Sequence, residues 1–530
     1  MMLYSTKLLP LVIAASLGLS ACGGGGSTGS DSIEPPATGG SVTPTWVQGQ
    51  FASDASLANQ CSANQTGNTL TEKLWLRSWS DDTYLWYSEI IDRDPAPYSV
   101  AEYFDLLLTD ELSDSGSRKD NFHFSMSTDE WNALNQSGAS VGYGINFELT
   151  NGSQSAARKV TVTYNEPDSP ASENNVTRGA VIVEIDGVSV QDANDSASID
   201  ILNAGLFPSQ NGKQTTFTIR DLGAALDRTV TLTAQTIVST PVQNTKTIQT
   251  TSGKVGYLQF NAHIATAERG LFDALTILSQ AGVDDLVIDL RYNGGGLLAM
   301  ASQLGYMIAG EEATAERTFE KTNFNDKYPN VNPVTNQSLS PMPFIDESLG
   351  FNTGLLAAGS PLPTLDLKRV YVLTTAGTCS ASEALMNGLR GVDIEVIQIG
   401  GTTCGKPYGF YPTPNCETTY FTIQFKGVND KGFGEYSDGF VPSTSPTLAS
   451  EVQGCMLDDD LGHALGDTDE RLLSAALYYR DNERCPTIAT STARSSAASE
   501  FVDEGFMLKD ERNQTLWQNN RIITDIKGAL

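Results

Sequence analysis

The spacing of apolar residues changes along the chain and divides it into segments of different kinds. Between positions 70 and 108, Trp75, Trp79, Leu85, Trp86, Tyr103, Phe104 and Leu107 recur at helical intervals, with turn signals at Asp94-Pro95 and Pro97. This predicts a small N-terminal helical domain over 51–138. From Val141 to about Thr240 short alternating runs replace the helical period and predict a β-rich domain over 139–243. Within it, Asp186-Gly187 sits between two apolar alternations, a hairpin turn that needs positive φ at its centre. From Lys254 onward strands expected at 255–260, 286–290, 370–374 and 394–399 alternate with helices expected at 266–281, 297–308 and 382–389. That alternation predicts a layered α/β domain over 244–480 with active-site loops at its strand ends, and a multidomain α/β protein as a whole. The Pro-, Asn- and Ser-rich stretch 311–367 has no usable period, and 481–530 drifts into Ser/Ala/Thr-rich sequence expected to be partly disordered.

The N-terminus changes the picture by adding a compartment. Lys7 precedes an apolar run of about a dozen residues, shorter than the roughly 20 a membrane-spanning helix needs, so 1–21 is expected to be a secretory signal. The run ends in Leu19-Ser20-Ala21-Cys22, which resembles the bacterial lipobox and implies lipid modification of Cys22. An exported lipoprotein, facing the periplasm or the cell surface and anchored by its acyl chains, follows from that resemblance. The Gly/Ser/Pro/Thr-rich 22–50 is then a flexible tether. Six cysteines remain besides Cys22, an even number that suits an oxidising compartment. They allow 15 complete pairings, of which Cys404–Cys416 and Cys455–Cys485 are the expected links.

Charge and histidine content exclude several functions. With 63 Asp+Glu against 33 Lys+Arg the net charge is −30, which excludes a basic nucleic-acid binder. Only His123, His263 and His463 are present, too few to favour a histidine metal cage or a histidine triad. No metal and no cofactor is expected. The acidic run Asp458-Asp459-Asp460 lacks calcium-loop spacing and is expected to be solvated surface.

Three segments of the α/β domain carry candidate chemistry: Asp289-Leu290-Arg291-Tyr292-Asn293-Gly294-Gly295-Gly296, then Cys379-Ser380-Ala381-Ser382-Glu383, then Cys404-Gly405-Lys406. Each follows a predicted strand. Singly, each has an ordinary explanation, since Ser380-x-x-Glu383 is also a capping box. In this order they resemble the carboxyl-terminal processing peptidases, or tail-specific proteases. The resemblance implies a crotonase-like layered core with Ser380 as nucleophile and Lys406 as general base. It also implies an oxyanion hole from the N–H groups of Ala381 and Gly295, and Glu383 as a residue orienting the pair. The β-rich domain resembles a PDZ domain, with Gly142-Tyr143-Gly144-Ile145 in place of the loop that receives a peptide's terminal carboxylate. The implied partners are protein or peptide substrates with a free, apolar C-terminus, and no nucleic acid. A non-catalytic PDZ lipoprotein that tethers peptides is the competing function.

The serine–lysine pair makes a physical demand. A lysine near its reference pKa of about 10.4 is almost always protonated at neutral pH, and working as a base requires lowering it to about 7–8. Burial beside apolar neighbours supplies the required 4 kcal/mol or so. Lys406 must therefore be buried.

Overall fold

The computed structural model describes residues 45–61, 69–113, 115–150, 158–487 and 521–522. The expected signal, Cys22, nearly all of the tether and most of 481–530 lie outside the described residues.

The α/β core is built on a seven-stranded sheet in the order Val242–Thr250, Gly253–Phe260, Asp285–Asp289, Arg369–Thr374, Glu395–Gly400, Glu451–Met456, Val441–Ser443. The first pair is antiparallel and the other neighbours are parallel. Parallel strands covered on both faces are apolar along their length, which explains the continuous runs in the sequence. Successive residues face opposite layers. Leu258, Phe260, Leu286 and Ile288 pack with Leu271, Leu275, Leu304 and Leu385 from helices Ala267–Ala281, Leu298–Ala309 and Ala381–Gly391. Val255, Tyr257, Val287 and Tyr371 pack with Leu472, Leu473 and Ala476 of Arg471–Asn482. The predicted elements of this domain form within one or two residues of the expected limits.

Three expectations are corrected. The acidic run is not simply solvated: Asp459 joins Asp289 and Glu470 around Arg291, which is fully buried. Trp46 to Gln50, expected within the tether, are tied to the fold, because Asp92 accepts from Trp46 Nε1 and Gly49 N while Arg77 donates to the Val47 and Gln50 carbonyls. The link Cys404–Cys416 is replaced by Cys379–Cys404 and Cys61–Cys416, while Cys455–Cys485 forms as expected.

The N-terminal helices form, but they share a core with the α/β domain. Trp75 and Trp79 of Thr69–Thr83 stack on each other and lie 5.6 and 6.5 Å from the ring of Tyr420. Strand Phe124–Ser127 pairs with Thr418–Phe421, and Cys61–Cys416 crosslinks the two regions. The 311–367 stretch is also built in: Thr318–Asn323 pairs with Phe425–Val428, and Phe319 fills the space beside Gly388 of the Ala381–Gly391 helix.

The β-rich segment has its own core, formed by Phe147, Val160, Ile182, Leu202 and Phe217. Its antiparallel strands run Ile145–Thr150, Lys159–Asn165, Val181–Ile185, Gln214–Arg220, Arg228–Thr233, with Ile145–Thr150 at an edge. The expected hairpin is present, with φ of 49° at Asp186 and 80° at Gly187. Glu166 ties this segment to the connection into the core, accepting from Thr240 N at 2.8 Å and Ser239 Oγ at 3.3 Å.

Burial pushes the Glu166 carboxyl up to about 7. Its value in an unfolded chain is about 4.3. Between those values the folded protein retains a proton that the unfolded chain has lost, so stability falls as pH rises through the window. Glu166→Gln is expected to change stability little near pH 4.5 and to raise it by up to about 3 kcal/mol at pH 8. Denaturant midpoints at the two pH values check this, and equal shifts at both would contradict it.

Candidate active site

The candidate residues sit on loops at the C-terminal ends of three adjacent strands, Asp285–Asp289, Arg369–Thr374 and Glu395–Gly400. The second strand leads to Ser380, which immediately precedes the Ala381–Gly391 helix. Ser380 has φ +52° and ψ −95°, a strained backbone for a residue with a Cβ. Its Oγ is buried and makes no hydrogen bond to Lys406, and Ser380 and Glu383 form a capping box at the start of the helix. Ala381 is the first helical residue, and its N–H is among the four donors that no helical carbonyl satisfies.

Asn293 holds the serine loop in place. Its carbonyl oxygen accepts from Cys379 N and Ser382 Oγ, and its Nδ2 donates to the Phe260 carbonyl. Its Oδ1 accepts from Gly295 N at 2.9 Å and lies 3.0 Å from His263 Nδ1. Gly295, the expected oxyanion donor, is thus engaged in this conformation rather than open to a ligand. Burial holds the His263 imidazole down at about 4, so this ring is neutral at neutral pH.

Glu383 joins the serine loop to the lysine loop. Fully buried, it accepts from Ser380 N, Gly405 N and Lys406 N, each at 2.8 Å, and from Thr403 Oγ1 at 2.5 Å. Burial raises its carboxyl above the ordinary value, and these bonds oppose that shift. Gly405 has φ +85°, and a Cβ there would lie 2.2 Å from the Ser437 carbonyl, so the turn into Lys406 requires glycine. Lys406 is fully buried as expected, with Nζ 4.4 Å from the Phe122 ring centroid and 4.5 Å from that of Phe410. These rings were not among the expected site residues. Phe410 lies four residues beyond Lys406 and is locally visible, whereas Phe122 comes from the N-terminal segment.

Cys379, Glu383 and Cys404 converge with ligand atoms within 4.8 Å of one another. The two sulfurs are bonded to each other, which leaves a single carboxylate for any cation.

Two further features flank the site. Arg521–Ile522 pairs in parallel with Gly296–Leu297, directly beyond the glycine turn. In the β-rich segment, Tyr143, Ile145, Phe147, Ile182, Leu206 and Phe217 line an apolar cavity between the edge strand and the Ser196–Leu206 helix. Gly144 has φ +75°, and the Gly144 and Tyr143 carbonyls accept from Glu166 N and Ala171 N. Gly142 ends strand Ala139–Gly142 opposite Gln235. Arg178 of this segment donates to Tyr292 Oη and Asp459, reaching the first motif from the other side. Among the described residues no helix is long and apolar enough to cross a membrane.

Residues 254–415, which include all three motifs, match the family model of Peptidase family S41. The similarity to this family spans all three motif segments. The chain is 27% identical over 241 residues to a carboxyl-terminal-processing protease of Picosynechococcus, an alignment covering 45% of this chain and 49% of the relative. It is 32% identical over 238 residues to the carboxyl-terminal-processing protease of Synechocystis, covering 45% and 47%. The chain thus spans about half the length of the curated relatives it matches. A putative S41 protease from Bacteroides fragilis shares its mixed α/β, multidomain fold, with a TM-score of 0.57 at 22% identity, over 77% of this chain and 97% of that one.

Proposed function

We propose that this chain is a serine endopeptidase that recognises the free C-terminus of a protein and cuts upstream of it, with Ser380 as nucleophile and Lys406 as general base. The observation that carries this reading is a strained, fully buried serine joined through Glu383 to a fully buried lysine. Burial of the amine disfavours its charged form, and the faces of Phe122 and Phe410 favour it. A neutral Lys406 amine takes the proton of Ser380 as the hydroxyl attacks the scissile carbonyl. The tetrahedral oxyanion is held by Ala381 N–H, with Gly295 N–H joining once Asn293 releases it. The leaving amine takes the proton from Lys406, and water then hydrolyses the ester on Ser380.

The β-rich segment acts as a PDZ-like tail receptor. An extended peptide adds to the edge strand Ile145–Thr150, its terminal carboxylate meets the Gly142–Ile145 turn, and an apolar last side chain enters the adjoining cavity. Ile145→Glu places a like charge beside that carboxylate. It is expected to raise KM for a protein with an apolar tail at least about tenfold while leaving kcat unchanged. An unchanged KM would remove the receptor role. Export and anchoring at Cys22 belong to the same reading, and three disulfides suit an oxidising compartment.

Incubation of the purified protein with a substrate ending in apolar residues, and with the same substrate amidated at its C-terminus, tests the function. Cleavage of the free-tailed form alone, unaffected by a metal chelator, is expected. Cleavage of neither form would contradict the proposal.

A further inference from the structure

Ser380 and Lys406 belong to loops that leave the ends of two neighbouring parallel strands, Arg369–Thr374 and Glu395–Gly400. Their relative position depends on what ties these loops together. One tie is the Glu383 carboxylate, which accepts the main-chain N–H groups of both residues. The other is covalent. Cys379, immediately before the nucleophile, is bonded to Cys404, two residues before the base, with Cα atoms 5.1 Å apart. Cys379 is fully buried and donates its N–H to the Asn293 carbonyl, while the Cys404 N–H donates to the Thr378 carbonyl. The crosslink lies directly beside two positive-φ positions, the strained Ser380 at φ +52° and Gly405 at φ +85°. Cys404 is half-buried, and its Sγ lies 3.5 Å from Glu383 Oε2.

We propose that the Cys379–Cys404 disulfide is a positioning element of the serine–lysine pair, and that its reversible reduction switches turnover off. The inference rests on the assignment of Ser380 and Lys406. A dithiol supplies the two electrons and two protons: the S–S bond breaks, two thiols form, and the reagent leaves as its own cyclic disulfide. Without the bond, the Cys379 and Cys404 segments are held only by hydrogen bonds, and the Ser380–Lys406 geometry relaxes. A base and nucleophile displaced by about 1 Å lose catalysis by factors on the order of a hundred without losing substrate affinity.

The test compares wild type, C379A/C404A and, as a control crosslink, C455A/C485A, using the free-tailed substrate with and without dithiothreitol. The expected result for C379A/C404A is a kcat lowered at least about tenfold. KM and the circular dichroism spectrum stay as in wild type, and the acid limb of the pH–rate profile moves. Wild type and C455A/C485A lose activity in dithiothreitol and regain it on reoxidation. A C379A/C404A protein with wild-type kcat and pH profile would overturn the proposal, as would one that loses its folded spectrum along with its activity. Failure of the peptidase assignment is seen separately, as wild-type cleavage that survives Ser380→Ala.

Discussion

Ser380→Ala and Lys406→Met are each expected to lower cleavage of a free-tailed protein by at least about a thousandfold, and the double variant is expected to be no worse than either alone. In the proposed mechanism the two side chains form a unit: without the amine the hydroxyl keeps its proton, and without the hydroxyl the amine has nothing to activate. The lysine variant separates chemistry from folding. Met fills a similar volume between Phe122 and Phe410 and removes a buried amine, so stability should hold or rise while activity disappears. Turnover assays beside denaturant unfolding check both halves. An active Lys406→Met protein would remove the base, and a Lys406→Met protein that fails to fold would show the lysine to be structural.

Arg291→Met is expected to destabilise the fold by about 3–5 kcal/mol, a large share of the roughly 5–15 kcal/mol that holds a domain together. Arg291 and its partners Asp289 and Glu470 are fully buried, and Asp459 closes the set from the edge. Two parallel contacts run from the guanidinium to Glu470, each 3.0 Å long. Removing the guanidinium leaves two carboxylates desolvated without a cation. Arg291→Lys should recover only part of the loss, since one ammonium cannot reproduce the fork. Because Arg291 and Tyr292 lead directly into Asn293, reduced turnover should accompany the loss of stability. Urea midpoints for the three proteins decide the point, and equal stability of Met and wild type would contradict it.

The parts of this architecture legible in the sequence are those encoded by neighbours. Buried parallel strands are apolar on both faces, and an amphipathic helix repeats every few residues. The Asp186-Gly187 turn needs residues that tolerate positive φ, and these patterns placed the α/β elements almost to the residue. The motif segments are likewise local, so the resemblance they carry points to Ser380, Glu383 and Lys406 without reference to their surroundings. Partners far apart in sequence could not. Cys61 pairs with Cys416 across 355 residues, and periodicity records only that a cysteine is buried, not what it meets. The same limit hid Phe122 against Lys406 and Asp459 against Arg291. It made the N-terminal helices look independent, because Tyr420, which completes their aromatic cluster, lies more than 300 positions away. Gly295 shows a different limit. Its turn was visible, but the capture of its N–H by Asn293 depends on side-chain geometry that no spacing specifies.

The most direct test of the central claim is the mass of the enzyme during turnover. Wild-type protein mixed with free-tailed substrate and quenched in acid within the first turnover should carry the N-terminal fragment of the substrate as an ester, and peptide mapping should place it on Ser380. An acyl group on another residue, or continued cleavage with none trapped on any serine, would contradict the account.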